Sequence, residues 1–199
     1  KTTYALEEVQ FSLQVQVFNR LRDKIKFISK ASDTENIAKS LSSNSGIYLV
    51  PAFTGLGAPY WDASARGLLS GLTRDTGPKE IIRATIESVA YQTYDLFEAM
   101  KNDGLKPKLI KVDGGMVLNN WFSQFLSDTI NAKVLRPKVN ETTALGAAFM
   151  AGLQIGVYKS LKDIAKNWQA DKSFSPKIKN TKRKILIDGW NKAIKKTLA

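Results

Sequence analysis

The sequence predicts a single α/β domain over residues 1–199, in which short apolar strands alternate with amphipathic helices. The apolar run at residues 109–112 ends at Asp113-Gly-Gly and precedes apolar residues at helical spacing, so this unit is a strand, a glycine turn and a helix. Hydrophobic residues make up 43% of the chain, enough for a sizeable core. No internal repeat or linker divides it, which favours one domain with a mixed sheet flanked by helices.

Composition excludes several classes of protein. The chain has no cysteine and no histidine, so a disulfide framework, a thiolate metal site, zinc chemistry and histidine-based triads are excluded. Neither an apolar run of membrane length nor a signal peptide is present, so we expect a cytoplasmic protein without a membrane partner. The chain opens on Lys1 rather than Met, and we therefore expect a piece of a longer protein.

The charge is strongly basic and unevenly distributed. The formal net charge is +12. Residues 171–199 carry nine Lys and Arg residues against two Asp residues. Such a tail can bind nucleic acid or an anionic surface, but a solvated, lysine-rich helix has the same composition. Only Phe174 and Trp190 interleave with the basic residues, so we do not expect nucleic-acid binding.

The first half of the chain contains strand patterns and one long loop. Residues 9–17 alternate apolar and polar side chains, which taken literally is a strand, and residues 20–29 have a helical pattern. Ser32 and Glu35 have the spacing of a capping box, which predicts a helix that ends near residue 41. Strands are predicted at residues 47–50 and 67–73, the latter with glycines that indicate close backbone approach. The aromatic-rich loop between them is either a packed lid or a ligand site.

The second half is dominated by helices. Pro78 starts the longest one, in which an apolar stripe faces the core and the opposite face carries Lys79, Glu80, Arg83, Glu87 and Asp95. A strand is predicted at residues 133–135. A helix rich in small residues follows at 141–153, and we expect tight packing against a sheet to explain its alanines and glycines. Two further helices are predicted at residues 161–168 and 180–198.

The glycine turn is the candidate binding site. Gly114 and Gly115 allow positive φ and close approach of a ligand to the backbone, and a following helix N-terminus suits a phosphate. Asn119 is the predicted N-cap of that helix. A strand-to-helix turn can also carry two glycines for steric reasons, so a ligand site and a purely structural turn both stay open on spacing alone.

Four motifs in order resemble the glycerol kinase branch of the FGGY carbohydrate kinases. They are Pro51-Ala-Phe-Thr-Gly-Leu-Gly-Ala-Pro-Tyr-Trp-Asp62, Gly67-x-Leu-x-Gly-Leu72 with Glu80-Ile-x-x-Ala-Thr-Ile-Glu87, Val112-Asp-Gly-Gly-Met-Val-Leu-Asn-Asn120, and Thr142-Thr-Ala-Leu-Gly-Ala-Ala148. The resemblance runs from about residue 4 to the end. It implies the C-terminal domain of such a kinase, with a ribonuclease H-like, actin-type ATPase fold.

The resemblance also implies a site and a reaction. Gly115 would contact ATP through its backbone. We expect a positive φ at this position, and we expect a side chain there to collide with ligand atoms. Gly114 would keep the turn open, Asn119 would lie near the adenosine, and Asp113 is a candidate for the Mg²⁺ or phosphate shell. The complete enzyme would transfer the γ-phosphate of ATP to glycerol. Its general base and glycerol-contacting residues would lie in an N-terminal kinase domain absent from this chain, and a homo-oligomer is compatible with this interpretation.

Residues 8–20 depart from the family pattern. After Tyr-Ala-Leu-Glu the family continues with a helix whose Gly and Gln approach the adenine and which ends in Gln-Trp-Leu-Arg-Asp. One back-translation of residues 8–19, read one base earlier, encodes Ser-Thr-Ile-Phe-Ile-Ala-Gly-Ala-Ser-Val-Gln, which is the family pattern. We therefore hypothesise two compensating one-base slips, which re-sequencing of the DNA tests.

Three functional interpretations stay open on the sequence. The first is the ATP-binding domain of a glycerol kinase or, with less support, of another FGGY sugar kinase. The second is a non-catalytic remnant that folds without binding ATP. The third is a basic module that binds nucleic acid through residues 171–199.

Overall fold

The computed structural model describes residues 17, 19–139 and 141–199. The helices within these residues are α1 (Asp33–Ser40), α2 (Pro78–Asn102), α3 (Asn120–Ile130), α4 (Thr142–Gln154), α5 (Leu161–Lys166) and α6 (Asn180–Thr197). The strands are β1 (Tyr48–Val50), β2 (Leu68–Ser70), β3 (Leu109–Lys111), β4 (Lys133–Pro137) and β5 (Ala170–Phe174). A π-helical turn lies at Arg20–Lys24, and a 3₁₀ turn lies at Gly115–Leu118.

The strands form two small sheets. Strands β1 and β2 pair antiparallel, while β4 lies between β3, to which it is parallel, and β5, to which it is antiparallel. The predicted α/β class with a mixed sheet is therefore confirmed. Strand β5 was not predicted, because only Phe174 in that strand is buried and the residues before it are mostly polar or charged.

Helix α2 is the centre of the core. It packs on α1, α3 and β1, and its predicted apolar stripe is buried. Only part of the predicted polar face is exposed to solvent, however, because Arg83, Glu87 and Asp95 are also buried. The helix is thus enclosed on more than one side, and its buried charges need partners within the fold.

The beginning of the chain differs from the sequence expectations. The predicted strand at residues 9–17 and most of the divergent segment 8–20 lie outside the described residues, although Val17 and Asn19 are helical. The helix predicted for residues 20–29 is reduced to the π-helical turn at Arg20–Lys24. The capping box is absent because the Ser32 side chain makes no capping hydrogen bond, and Glu35 instead contacts Lys39 and Asn120.

The close backbone approach predicted from the glycines around β2 is present at Gly71. Its φ is +89°, and a Cβ atom there would lie 2.0 Å from the carbonyl oxygen of Gly46. A side chain at this position would therefore be excluded both by conformation and by contact.

Helix α4 does not pack as expected. Ala144, Ala147, Ala148 and Ala151 are exposed, and Gly152 is the buried residue of this helix. Tight packing against a sheet of the described residues therefore does not explain its small side chains.

Helix α6 carries much of the basic tail. Ile187, Trp190, Ala193 and Ile194 are buried on one side, where the helix contacts β1 and β2. The lysines lie on its exposed sides, as expected of a solvated amphipathic helix. No helix in the described part of the chain is both long enough and apolar enough to cross a membrane.

Candidate functional site

The glycine turn lies at the carboxyl edge of the parallel strand pair β3–β4. The Val112 N–H donates to the Leu135 carbonyl at 3.0 Å, so the pairing continues just past the end of β3. Gly114 then has φ +83° and ψ 176°, a combination that is open essentially only to glycine. The chain turns sharply here and enters the 3₁₀ turn.

Gly115 is the exposed point of the turn. It is the first residue of the 3₁₀ turn, and an added Cβ atom would find no atom within 4 Å. The expectation of positive φ at Gly115 is wrong, since that conformation belongs to Gly114. A side chain at Gly115 is therefore compatible with the fold, and any effect of one would come from what approaches the turn from outside.

Asn119 is the N-cap of α3, as predicted. Its side-chain oxygen accepts a hydrogen bond from the Phe122 N–H at 2.9 Å. Its Nδ2 donates to the buried hydroxyl of Thr34 at 3.2 Å. Both ends of the amide therefore have partners within the domain, and the side chain ties the start of α3 to α1.

A second link between these helices runs through Asn120 and Glu35. The backbone N–H and the Nδ2 of Asn120 donate to the two carboxylate oxygens of Glu35, at 3.3 and 3.4 Å. Lys39 adds an ion pair to Glu35 at 2.5 Å. Partial burial alone would raise the pKa of Glu35, but the hydrogen bonds from Lys39 and Asn120 hold it below its ordinary value.

Arg136, from β4, completes the support of the turn. Its Nη1 donates to the carbonyl oxygens of Val117 and Leu118, at 3.0 and 3.2 Å, and to Oδ1 of Asn120 at 3.3 Å. Three residues that support the turn and the start of α3 were not predicted from the sequence as part of the site: Arg136, Thr34 and Glu35. No local pattern indicates these contacts, because each residue reaches the turn or α3 from a distant part of the chain, and the capping-box spacing of Glu35 predicted a different partner.

Asp113 is half-buried beside the turn, between β3 and Gly114. Among the described residues no group of three or more acidic side chains is arranged to hold a metal ion. A single half-buried carboxylate can contribute one oxygen ligand to a hard cation such as Mg²⁺.

The aromatic-rich loop is a partly packed element of the fold. Leu56 and Asp62 exchange backbone hydrogen bonds of 2.7 and 2.9 Å, which closes the loop into a compact turn. The Asp62 carboxylate accepts hydrogen bonds from Ser64 and Ala65, and these hold the pKa of Asp62 below its ordinary value. The hydroxyl of Tyr60 bonds to Asp95 on α2. The loop is packed only in part, because Leu56 is buried whereas Trp61 is 75% exposed, and both alternatives for it stay open.

Comparison with known proteins gives one family. A family model described as the FGGY family of carbohydrate kinases, C-terminal domain, matches residues 2–155. The glycerol kinase of Ectopseudomonas mendocina is 53% identical over 197 residues, which are 98% of this chain and 40% of that protein. The glycerol kinase of Alteromonas mediterranea is 51% identical over 194 residues, covering 98% of this chain and 39% of that protein. The chain thus spans about two fifths of the length of these curated relatives.

Solved structures of kinases share the fold. The glycerol kinase of Plasmodium falciparum with ADP aligns with a TM-score of 0.83 and 35% identity, over 94% of this chain and 37% of that one. A ligand-bound xylulose kinase from Lactobacillus acidophilus aligns with a TM-score of 0.71 and 28% identity, over 87% of this chain and 35% of that one. These alignments confirm the actin-type ATPase fold that the sequence resemblance implied.

Proposed function

Because this chain belongs to the FGGY family of carbohydrate kinases, we propose that it forms the C-terminal, nucleotide-binding domain of a glycerol kinase. The complete enzyme would transfer the γ-phosphate of ATP to glycerol and release ADP and glycerol 3-phosphate. Both curated relatives above are glycerol kinases, and the motif at residues 51–62 favours glycerol over other sugar substrates. With ATP as the donor, we place the enzyme in the cytoplasm.

The observation that carries this proposal is the exposed backbone at Gly115. It lies at the carboxyl edge of a parallel strand pair, which is where open α/β sheets bind ligands. The space beside Gly115 is open, so a phosphate can approach the main chain without meeting a Cβ atom. Backbone donors fixed in this way stabilise negative charge without reorganisation during the reaction.

The other site residues have separate proposed roles. Gly114 holds the turn in a conformation that a side chain would strain. Asn119 would lie near the adenosine of the bound nucleotide, and its bonds to Thr34 and Phe122 already fix its side chain. Asp113 would contribute a carboxylate to the surroundings of the magnesium ion that accompanies ATP, and that ion would supply charge neutralisation on the transferring phosphoryl group.

The proton chemistry belongs elsewhere in the complete enzyme. Since the chain covers about 40% of its relatives, we propose that the general base and the glycerol site lie in an N-terminal kinase domain. Phosphoryl transfer depends mainly on positioning and charge stabilisation, so a nucleotide domain and a substrate domain can be separate units. The alternative is a non-catalytic remnant that keeps the fold and has lost ATP binding.

Calorimetric titration of Mg·ATP and Mg·ADP into the purified chain tests the proposal, with a thermal melt to establish that the chain is folded. We expect saturable binding of both nucleotides and no binding of glycerol alone. A chain that melts cooperatively but shows no heat of nucleotide binding would favour the remnant interpretation.

A further inference from the structure

Arg136 contacts the glycine turn from beneath. This arginine is on β4 and is 9% exposed. The 3₁₀ turn Gly115–Leu118 ends in carbonyl groups that lack a partner within the turn, as at the end of any helix. Nη1 of Arg136 donates to two of them, the carbonyl oxygens of Val117 and Leu118, at 3.0 and 3.2 Å. The Val117 carbonyl also accepts a hydrogen bond from the Ser123 hydroxyl at 2.9 Å, so Leu118 is the carbonyl that depends more on Arg136.

The guanidinium is itself anchored from the other side. Its Nε and Nη2 donate to one carboxylate oxygen of Asp171, at 2.9 and 2.5 Å. Asp171 is on β5, the antiparallel neighbour of β4, so the anchor belongs to the same sheet. An arginine presents its donors in a rigid planar fork, so fixing one edge on Asp171 also fixes the donors that face the turn.

The same group reaches the first residue of α3. Nη1 of Arg136 and Nζ of Lys172 both donate to Oδ1 of Asn120, at 3.3 and 3.0 Å. The other side of Asn120 bonds to Glu35 on α1. The turn is therefore held between the sheet and α1 at the point where α3 begins.

We propose that Arg136 is a positioning residue for the nucleotide-binding turn. By fixing the carbonyl end of the 3₁₀ turn to the sheet, it holds the Gly115 backbone and the Asn119 cap in place before nucleotide arrives. The turn is then already ordered in the free protein, so nucleotide binding does not carry the entropy cost of ordering it. This inference rests on the proposed nucleotide-binding function of the turn.

A merely structural arginine would stabilise the domain without affecting the turn in particular. Arg183 on α6 provides the matched control, because its Nε donates to a backbone carbonyl of α3 as well, that of Asp128 at 2.5 Å. Asp128 is near the carboxyl end of α3, whereas the glycine turn precedes the amino end. Arg136→Met and Arg183→Met thus each remove an arginine-to-carbonyl contact, at opposite ends of the same helix.

Two measurements on the purified chain separate these roles: amide hydrogen exchange resolved to residues 114–120, and calorimetric affinity for Mg·ADP. We expect Arg136→Met to accelerate exchange in this segment at least tenfold more than Arg183→Met does, and to weaken Mg·ADP binding about tenfold. Arg136→Lys keeps the charge without the planar fork, so it should restore overall stability better than it restores protection of the turn.

Parallel changes in exchange across the whole domain in both methionine variants would overturn the proposal, as would unchanged Mg·ADP affinity in a folded Arg136→Met chain. If Arg136→Met fails to fold, Asp171→Asn weakens the anchor alone and should produce a smaller acceleration at the same amides. A folded wild-type chain that binds no Mg·ADP would contradict the proposed function itself, and the exchange data would then still decide whether Arg136 fixes the turn.

Discussion

The indole N–H of Trp190 on α6 donates to the carboxylate of Asp95 on α2 at 2.8 Å, and both side chains are buried. The hydroxyl of Tyr60, from the aromatic-rich loop, bonds to the same carboxylate. One acidic group therefore joins the loop, α2 and α6. Burial raises the pKa of Asp95 from 3.8 to about 6, and the two hydrogen bonds only partly oppose it.

This raised pKa predicts a pH-dependent stability. The folded state binds the Asp95 proton more tightly than the unfolded state, so this stabilisation is complete below about pH 3.8 and is lost as pH rises through about 6. The full shift corresponds to at most about 3 kcal/mol. Asp95→Asn keeps an acceptor for Trp190 without a charge, and we expect it to remove this dependence and to match or exceed wild-type stability at pH 7.

Urea unfolding of both proteins at pH 4.5 and 7.5 measures the effect. Asp95→Leu is the control, because it leaves the buried indole N–H without an acceptor and should destabilise at both pH values by about 1–3 kcal/mol. An Asp95→Asn variant that keeps the wild-type pH dependence of stability would show that other groups cause it.

The buried pair Arg83–Glu87 gives a second stability prediction. Nε of Arg83 lies 2.8 Å from Oε1 of Glu87, and Arg83 also donates to the carbonyls of Ala38 and Leu41 at the end of α1. Burial raises the pKa of Glu87, and Arg83 opposes that shift. Arg83→Met should therefore cost roughly 3–5 kcal/mol, because it leaves a buried carboxylate without its cation.

The double variant Arg83→Met/Glu87→Gln should recover part of that loss, since the amide carries no charge to bury. Denaturant titrations of the wild type, both single variants and the double variant give the coupling between the two positions. Additive effects would mean that the two side chains contribute independently, against the contacts seen here.

The two glycines of the turn should respond oppositely to substitution. A Cβ atom added at Gly115 would find no atom within 4 Å, so for Gly115→Val we expect an unfolding free energy within about 0.5 kcal/mol of the wild type. Nucleotide affinity should nevertheless fall at least tenfold, which is about 1.4 kcal/mol, because the side chain occupies the approach to the backbone. Gly114→Ala forces a side chain into φ +83° and should cost about 1–3 kcal/mol of stability.

Calorimetry of Mg·ATP binding beside thermal melts separates these effects. Asn119→Ala is a useful third variant, since it loses the cap of α3 and should cost about 0.5–2 kcal/mol of stability as well as some affinity. If a folded Gly115→Val protein bound Mg·ATP as tightly as the wild type, the two glycines would be a structural feature of the turn alone.

The chain by itself should not phosphorylate glycerol. The proposed general base and glycerol site lie outside these 199 residues, so the nucleotide would be held with no activated acceptor beside it. A coupled assay for ADP release with and without glycerol measures this. Glycerol-dependent turnover by the purified chain would place acceptor chemistry within it.

A cleft beside Arg20, at the end of the divergent segment, predicts that a larger apolar side chain at this position stabilises the chain. It has a volume of about 360 Å³, it lies between the π-helical turn, β1 and α2, and apolar side chains including Leu21, Phe53 and Ile81 line most of it. The guanidinium carbon of Arg20 lies 4.7 Å from the centroid of the Phe53 ring. In the family pattern that this sequence resembles, this position is Trp. Arg20→Trp should bury more apolar surface and stabilise the chain by about 1 kcal/mol.

Arg22→Trp is the control for that substitution, because Arg22 is exposed, pairs with Asp23 and does not line the cleft. Thermal melts of both variants give the comparison. An equal or lower melting temperature for Arg20→Trp would mean that the cleft does not accept the larger ring, and would weaken the frameshift hypothesis.

Most elements of this fold, their order and the turn at Gly114–Gly115 could be predicted from the sequence. Their signals are local: apolar periodicity sets the strands and helices, and Pro78 and Asn119 mark helix starts. The glycine pair likewise needs no distant residue to bend the chain. Strand β5 could not be predicted, because its antiparallel pairing with β4, and not its own composition, makes it a strand.

Tertiary structure decided which polar residues matter and how. Arg136 supports the turn, and Glu35 the start of α3, from sequence positions that no periodicity connects to them. Asp95 has a raised pKa because the fold buries its carboxyl group. Hydrophobic patterns repeat at regular intervals along a chain, so they can be recognised from the sequence alone. The desolvation of a charge and the partner that compensates it depend on which segments meet in space, and that is set only when the chain has folded.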